Sequence, residues 1–201
     1  MRLVLLGPPG AGKGTQSAYI AREHAVPHIS TGDIFREHIK GGTDLGTQAQ
    51  AYIDRGDLVP DGVVNRMVGE RLTQPDAKNG WLLDGYPRTV PQAEALEKLL
   101  DKIGQPLDAV LWFDVPEDEF TRRIQSRAEQ EGRSDDTREV VRRRLEEYAQ
   151  KTSSLESFYR KRGLLHHVDG VGPINEVAGR TFAVLEMISR KGRGGEALEE
   201  A

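Results

Sequence analysis

The first fifteen residues carry the residue types of a phosphate-binding site. They read MRLVLLGPPGAGKGT, in which the apolar run Arg2–Leu6 leads directly into a glycine-rich stretch that ends at Lys13. Glycines let several backbone N–H groups converge on phosphate oxygens, because no Cβ obstructs the approach. A helix that begins after the loop adds unpaired N–H groups and a partial positive charge, and Lys13 adds a full one. The order strand, loop, lysine, helix therefore predicts a phosphate-binding loop.

One position departs from the general pattern of such loops. Ser or Thr normally follows the lysine, but this chain has Gly14 there and Thr15 one place later. A glycine-rich turn without a ligand is the plainer interpretation, but a turn placed between an apolar strand and a helix favours phosphate binding. The departure indicates something other than an ordinary GTPase or ATPase.

A second chemical constellation follows another apolar run. Asp84, Gly85, Tyr86, Pro87 and Arg88 are consecutive and come directly after residues 81–83. A carboxylate at a strand end can reach Mg²⁺ or its waters, and a guanidinium can form a two-pronged contact with phosphate. The alternative is an ordinary turn with a structural aspartate.

Helical angles separate the arginines into two groups. On a helix predicted over 118–128, Arg127 falls on the apolar face and Arg123 at its edge, whereas Arg122 points away at about 100° per residue. On a helix predicted over 137–162, Arg144 lies beside the apolar stripe and Arg143 faces solvent. A cation beside an apolar face usually has an anionic partner. For a single arginine that partner could be a local carboxylate such as Glu146 or Glu147, but Arg123, Arg127 and Arg144 together favour a polyphosphate.

The elements that must position these residues alternate along the chain. This alternation predicts a doubly wound α/β fold, a five-stranded parallel sheet with helices on both faces. We expect strands over 2–6, 27–30, 81–84, 109–113 and 164–168, and helices over 15–24, 31–40, 44–55, 61–72, 89–103, 118–128, 137–162 and 173–190. Ligands of such sheets bind beyond the carboxyl ends of the strands, where the residues above lie.

The domain organisation predicted is one unit over residues 1–190. The helices after the second strand exceed what a crossover needs, so about residues 30–59 are expected to form a small mobile subdomain. Residues 129–136 are polar and predict an exposed loop, and residues 191–201 are predicted to be a flexible tail.

Composition narrows the function classes. The chain has 201 residues, a formal net charge of −4 and no cysteine. Nucleic-acid binding through bulk basicity and a cysteine-ligated zinc site are therefore not expected. With no long apolar run, we expect a cytoplasmic monomer without a membrane span.

These motifs together resemble the adenylate kinase family. The resemblance rests on the first loop with its GKGT ending, Ser30-Thr31-Gly32-Asp33, Asp84 to Thr89 with Gln92, and Val168-Asp169-Gly170, and it runs in order over residues 1 to about 190. It accounts for Gly14. Only five residues separate Arg127 from Arg133, so the chain resembles the short form, whose lid is a loop, here about 126–136.

The resemblance implies a P-loop fold with a helical monophosphate-binding insertion, and reversible phosphoryl transfer from MgATP to AMP that gives two ADP. The implied ATP-binding residues are Gly10, Ala11, Gly12, Lys13, Gly14, Thr15, Arg123, Arg127 and Gly172. The implied AMP-binding residues are Thr31, Arg36, Asp57, Leu58, Val59, Gly85, Tyr86, Pro87, Arg88, Gln92, Arg133 and Arg144. The implied catalytic residues are Lys13, Arg88, Arg123, Arg133 and Arg144. Mg²⁺ would be held mainly by ATP phosphates and waters, near Asp33 or Asp84, and zinc is not expected.

The implied phosphoryl transfer is consistent with a sequence in which no general base is recognised. A phosphomonoester is largely ionised at neutral pH, since its second pKa is about 6, so the acceptor needs no general base. Three alternatives remain open at this point: a kinase for UMP or CMP, a nucleotide sensor without turnover, and a kinase for a small metabolite. Thr89 and Gln92 favour adenine, and Arg36 and Arg88 favour an anionic acceptor.

Overall fold

A computed structural model describes residues 1–131 and 137–196, with side chains described except at 125, 127–131 and 191–196. The strands are β1 Arg2–Leu6, β2 His28–Ser30, β3 Trp81–Asp84, β4 Ala109–Asp114 and β5 Leu165–Asp169. The helices are α1 Lys13–His24, α2 Thr31–Lys40, α3 Asp44–Ile53, α4 Asp61–Leu72, α5 Val90–Ile103, α6 Glu117–Glu131, α7 Arg138–Glu147, α8 Ser154–Arg160 and α9 Ile174–Glu196. A 3-10 turn, Pro75–Ala77, and a π-helical segment, Tyr148–Thr152, complete the described elements.

The five strands form one sheet in the order β2-β3-β1-β4-β5, and all neighbours are parallel. The predicted five-stranded parallel sheet is thus confirmed. Ser30 pairs in register with Asp84, and Asp84 with Leu5. The carboxyl ends of the three strands on this side therefore meet at one edge, which is where ligands of such sheets bind.

Both faces of the sheet are covered, because alternate residues of a strand point to opposite sides. In β1, Val4 and Leu6 pack into a cluster with α4, α5 and α8, and Leu3 and Leu5 pack into a second cluster with α1 and α9. The central strands carry continuous apolar runs over 3–6, 81–83 and 109–113 for this reason, as expected of a parallel sheet buried on both faces.

Side-chain caps set where several helices begin. The Ser30 hydroxyl accepts the Asp33 N–H at 3.2 Å and so starts α2 directly at the end of β2. Thr43 caps α3, Thr89 caps α5 and Thr137 caps α7 in the same way. The first two helices of the predicted subdomain thus follow β2 with almost no intervening loop.

The helix predicted over 137–162 is wrong as a single element. The buried positions are Val140, Glu147, Thr152, Leu155, Phe158 and Tyr159, and Thr152 comes five positions after Glu147. An α-helix repeats a face every three to four residues, whereas a π turn inserts one residue more. The π-helical segment supplies that residue, and Val141 and Leu145, expected on the buried stripe, are only half-buried.

Several other bounds differ from those expected by one or two residues, and two helix ends differ by more. The helix predicted over 118–128 continues to Glu131, so the first three residues of the predicted loop 129–136 are helical, and residues 132–136 lie outside those described. The last helix extends to Glu196, past residue 190 where we expect it to end. The division into one domain, subdomain, lid and tail stays a prediction.

Candidate active site

A cleft of about 900 Å³ opens at the carboxyl edge of the sheet between the first loop and the helices that follow β2. It brings together most of the residues predicted for a site. The predicted residues that line it are Gly10, Ala11, Gly12, Lys13, Gly14, Thr15, Thr31, Asp33, Arg36, Asp57, Leu58, Val59, Asp84, Gly85, Pro87, Arg88, Gln92, Arg123, Arg144 and Gly172.

The first loop forms a compact ring between β1 and α1. Gly10 has a φ of 80°, a left-handed conformation that favours glycine, and a Cβ built on it would lie 2.6 Å from the Phe120 carbonyl oxygen. The loop therefore has no space for a side chain at this position. It ends at Gly12, which precedes α1 without a side-chain cap, so the first N–H groups of α1 remain available to an anion.

The side chain of Lys13 turns back into the loop and contacts the loop's own backbone. Its Nζ donates to the carbonyl oxygens of Gly7 and Pro8, both at 2.8 Å. The ammonium group is thus held at the centre of the loop beside the N–H groups of α1. A phosphate bound there would meet a full positive charge and oriented backbone dipoles at once.

Arg123 is fixed next to this loop. Its Nε donates to Glu119 Oε1 at 2.7 Å, and its Nη2 donates to the Gly170 carbonyl oxygen at 2.9 Å. Partial burial lowers the pKa of Arg123, which nevertheless stays charged in proteins. The predicted position of Arg123 at the edge of the buried face agrees with the structure, and Arg122 is 73% exposed, as predicted.

Asp84 is the carboxylate nearest the start of α1. Its Oδ2 lies 3.7 Å from where a Cβ on Gly14 would be, and 3.5 Å from His28 Nε2. A side chain at residue 14 would fill the space in front of the carboxylate. Asp84 therefore has the position and ligand chemistry for water-mediated binding of Mg²⁺, an oxygen-seeking ion.

Asp33, unlike Asp84, is paired with an arginine of its own helix. Its carboxylate pairs with Arg36, three residues later on α2. Partial burial acts to raise the pKa of Asp33, but hydrogen bonds from Arg36 and Ser30 outweigh it and the pKa is lowered. The pair holds Arg36 on the face of α2 that lines the cleft.

Gly85 directly follows β3 and links Thr31, the first residue of α2, to Arg88. Its carbonyl oxygen accepts hydrogen bonds from Thr31 Oγ1 at 3.0 Å and from Arg88 Nε at 2.8 Å. Its φ is 80°, and a Cβ on it would lie 2.8 Å from Thr31 Oγ1. Only glycine allows this close approach, which sets the guanidinium of Arg88 at the mouth of the site.

Gln92 lies in the first turn of α5, is 2% exposed, and lines the cleft. Its Oε1 accepts the Arg88 N–H at 2.7 Å, and its Nε2 donates to Asp61 Oδ1 at 2.7 Å. The other oxygen of Asp61, Oδ2, accepts a hydrogen bond from Thr89 Oγ1 at 3.0 Å. Sequence reasoning did not find Asp61, which lies 31 residues before Gln92.

The other side of the cleft is formed by α7 and the π-helical segment. Arg144 lines the cleft, and Thr152 Oγ1 donates to the Arg88 carbonyl oxygen at 2.9 Å. Arg143 was expected to face solvent alone, but its Nε donates to Asp57 Oδ1 at 2.7 Å. The hydrogen bonds from Arg143 and Arg55 lower the pKa of Asp57. These contacts join α7 to the turn after α3 across 86 residues.

Comparisons with known proteins agree with this geometry. The model of a family described as Adenylate kinase matches residues 5–164. A curated adenylate kinase from Thermobifida fusca (strain YX) is 53% identical over 186 residues, which cover 92% of this chain and 98% of that protein. Those from Nocardia farcinica (strain IFM 10152) and Nocardioides sp. are 54% and 51% identical, over 92% and 94% of this chain and 99% and 98% of those proteins. The chain belongs to the adenylate kinase family. The family resemblance predicted from the sequence is confirmed.

Three residues that the adenylate kinase resemblance implied are not placed at the cleft. Tyr86 does not line it: the side chain is 2% exposed, and its hydroxyl donates to Asn65 Oδ1 at 2.8 Å. Burial and the charge of Asp61 raise the pKa of this phenol, so it stays protonated. The backbone of Arg127 belongs to α6 but its side chain is not described, and Arg133 lies outside the described residues.

Within the described part of the chain, no helix combines the length and apolar composition that a membrane span requires. No cluster of three or more acidic, histidine or cysteine side chains suited to a metal ion occurs there either.

Proposed function

We propose that this protein catalyses reversible phosphoryl transfer from MgATP to AMP, which yields two ADP. The observation that carries the proposal is the two-sided cleft. A phosphate loop with Lys13 forms one side, and a separate set of groups that includes Arg36, Arg88 and Gln92 forms the other. Membership of the adenylate kinase family supports the same activity.

The donor side suits a triphosphate. The backbone from Gly10 to Thr15 and the start of α1 offer N–H groups, and Lys13 offers the charge for the transferring group. Arg123 lies beside the same loop, and the Gly172 backbone lines the cleft near it. We assign Arg127 to this side from the family resemblance.

The acceptor side suits a monophosphate. Arg36 and Arg88 provide guanidinium groups for the phosphate, and Thr31, Gly85 and Pro87 shape the wall behind it. Leu58, Val59 and Asp57 contribute the opposite wall, and Gln92 faces the base. Arg144, with Arg133 by resemblance, would lie between the two nucleotides.

In the reaction, an oxygen of the AMP phosphate attacks the γ-phosphorus of ATP, and the bond to the β–γ bridging oxygen breaks. No proton has to be removed from the acceptor, because the phosphomonoester is already ionised. Lys13, Arg88, Arg123 and Arg144 then act by positioning and by stabilising charge on the phosphoryl oxygens. Closure of the helical subdomain and of the short lid would exclude water, which otherwise hydrolyses ATP.

Mg²⁺ is the metal that fits this site. Asp84 faces the open space beside Gly14, whereas Asp33 is already paired with Arg36. The ion, bound mainly by ATP phosphates and waters, would neutralise phosphate charge. Asp84 would accept hydrogen bonds from its waters or bind it directly. Removing Mg²⁺ should abolish transfer, and a zinc chelator should leave the rate unchanged.

One assay tests the acceptor. Purified protein is incubated with MgATP and, separately, AMP, CMP, UMP, GMP or dTMP, and ADP formation is followed. Fast turnover with AMP alone is expected. Equal rates with CMP or UMP would contradict the adenine assignment, and no turnover with any acceptor would favour a sensor. We also propose that the protein acts as a cytoplasmic monomer without a nucleic-acid partner. The net charge of −4 argues against bulk binding to nucleic acid, and the absence of cysteine fits a reducing compartment.

A further inference from the structure

We propose that Asp61 is a positioning residue that determines which purine the acceptor site takes, because it fixes the orientation of the Gln92 carboxamide. This inference rests on the proposed function, in which Gln92 faces the acceptor base. Asp61 does not line the cleft, so it acts only through Gln92.

The contacts of Gln92 fix the orientation of its carboxamide. A carboxamide can usually exchange its oxygen and nitrogen by rotating through 180°. Here Oε1 faces the N–H of Arg88, which can only donate, and Nε2 faces the carboxylate of Asp61, which can only accept when it is ionised. The rotated carboxamide would oppose donor to donor and acceptor to acceptor. Because Gln92 is 2% exposed, water could not relieve either conflict.

The fixed carboxamide keeps one free position of each kind. Gln92 Oε1 has two lone pairs and Nε2 has two hydrogens, and the two contacts use one of each. The remaining lone pair and N–H match adenine, whose edge offers an amino donor and the N1 acceptor. Hypoxanthine has the same size and the opposite pattern, with the O6 acceptor and an N1–H donor. A carboxamide that cannot rotate therefore accepts AMP and rejects IMP.

Asp61 is itself held in place for this task. Its Oδ2 accepts a hydrogen bond from the Thr89 hydroxyl. The oxygen of that hydroxyl accepts a hydrogen bond from the Gln92 N–H at 3.2 Å and so caps α5. Asp61 begins α4, so the contacts join the amino ends of two helices. The carboxylate cannot turn away from Gln92 without releasing Thr89.

The variant Asp61→Asn tests the proposal with almost no change in volume. An asparagine carboxamide can present either its oxygen or its nitrogen, so the contact at residue 61 no longer opposes rotation of Gln92 and the Arg88 N–H remains as the contact that does. We expect the ratio of kcat/KM for AMP to that for IMP to fall about tenfold, through both a loss with AMP and a gain with IMP. Asp76→Asn is the matched control, since Asp76 pairs with Arg71 at 2.7 Å outside the cleft. It should leave the ratio unchanged.

A parallel fall with both nucleotides, at an unchanged ratio, would overturn the proposal and make Asp61 merely structural. Calorimetric titration of AMP and IMP without ATP gives the same ratio as an equilibrium quantity. If the wild type binds AMP over IMP but transfers no phosphate, the proposed function fails while the orientation argument stands.

A measurement on the wild-type protein removes the dependence on how the variant folds. The two Nε2 protons of Gln92 are assigned by NMR from their loss in Gln92→Glu. One proton should exchange slowly with water in the ligand-free protein and keep its shift when AMP is added, while the other should move. Rapid exchange of both protons before AMP is added would contradict a hydrogen bond to Asp61.

Discussion

The proposed donor and acceptor sides of the cleft are built on different principles. The donor loop is local: β1, the glycine ring, Lys13 and α1 are consecutive in the chain, and the groups offered are mostly backbone N–H. The acceptor side is assembled from side chains that bridge distant segments, such as Asp61 to Gln92 and Thr152 to Arg88. A site built from consecutive residues is easily recognised in a sequence and tolerates little substitution. A site built from contacts between distant segments depends on many weaker contacts.

The largest effect is expected from the donor side, with Lys13→Met. Methionine keeps the unbranched shape of the side chain, one atom shorter, and removes the charge at the centre of the loop. We expect kcat to fall about a hundredfold or more, since one charged stabiliser of the transferring group is lost. The melting temperature should change little. Steady-state kinetics and a thermal scan test this, and retained activity would show that Lys13 is not at the transferring phosphate.

A second change tests how little space the donor loop has. Gly10→Ala puts a Cβ 2.6 Å from the Phe120 carbonyl oxygen, while Gly12→Ala, at a similar φ, meets only Arg123 at 3.8 Å. Both variants bear left-handed strain of about 1–3 kcal/mol, but only Gly10→Ala adds a backbone clash. We expect ATP affinity to fall about tenfold more in Gly10→Ala. Equal losses in a titration with a fluorescent ATP analogue would show that the loop can move away from α6.

A smaller effect is expected where the acceptor side is bridged. Thr152→Val removes the hydroxyl that donates to the Arg88 carbonyl, leaving a polar group without its partner at a cost of about 1–3 kcal/mol. The KM for AMP should rise about fivefold and the KM for ATP should not change. Thr181→Val is the control, because its buried hydroxyl bonds only within α9 at 2.8 Å. A rise in KM for ATP as well would mean that the two sides are not separate.

The smallest effect is expected at the Asp57–Arg143 ion pair, which is partly exposed and therefore weak. Asp57→Asn should raise the KM for AMP about threefold at low salt and less at high salt. Since the fold lowers the pKa of Asp57, its stabilisation is present above the usual aspartate pKa and is lost as pH falls through the lowered value.

The wild type and Asp57→Asn should therefore differ in melting temperature at neutral pH and converge in acid. A difference that persists after Asp57 is protonated would assign the effect to packing instead of charge. Asp44→Asn, in the first turn of α3 and outside the cleft, is the control for a lost carboxylate in the same subdomain.

What the sequence could predict follows the same division. The five parallel strands and the loop at Lys13 were predictable, since each depends on a short contiguous pattern. Asp61 and Thr152 were not, because a lone aspartate and a lone threonine carry no pattern, and their partners lie 31 and 64 residues away. Arg143 shows the limit of helical angles: it faces away from its own apolar stripe but toward another segment.

The π-helical segment Tyr148–Thr152 changes the direction in which the side chains of α8 point relative to those of α7. Before this segment, α7 places Arg144 at the cleft, and after it α8 places Leu155 and Tyr159 in the core. Deleting one residue of the segment would give a more regular helix, but would turn Arg144 by about 100° relative to the core-facing half. The irregular geometry of this segment thus allows α7 to line the cleft while α8 packs in the core.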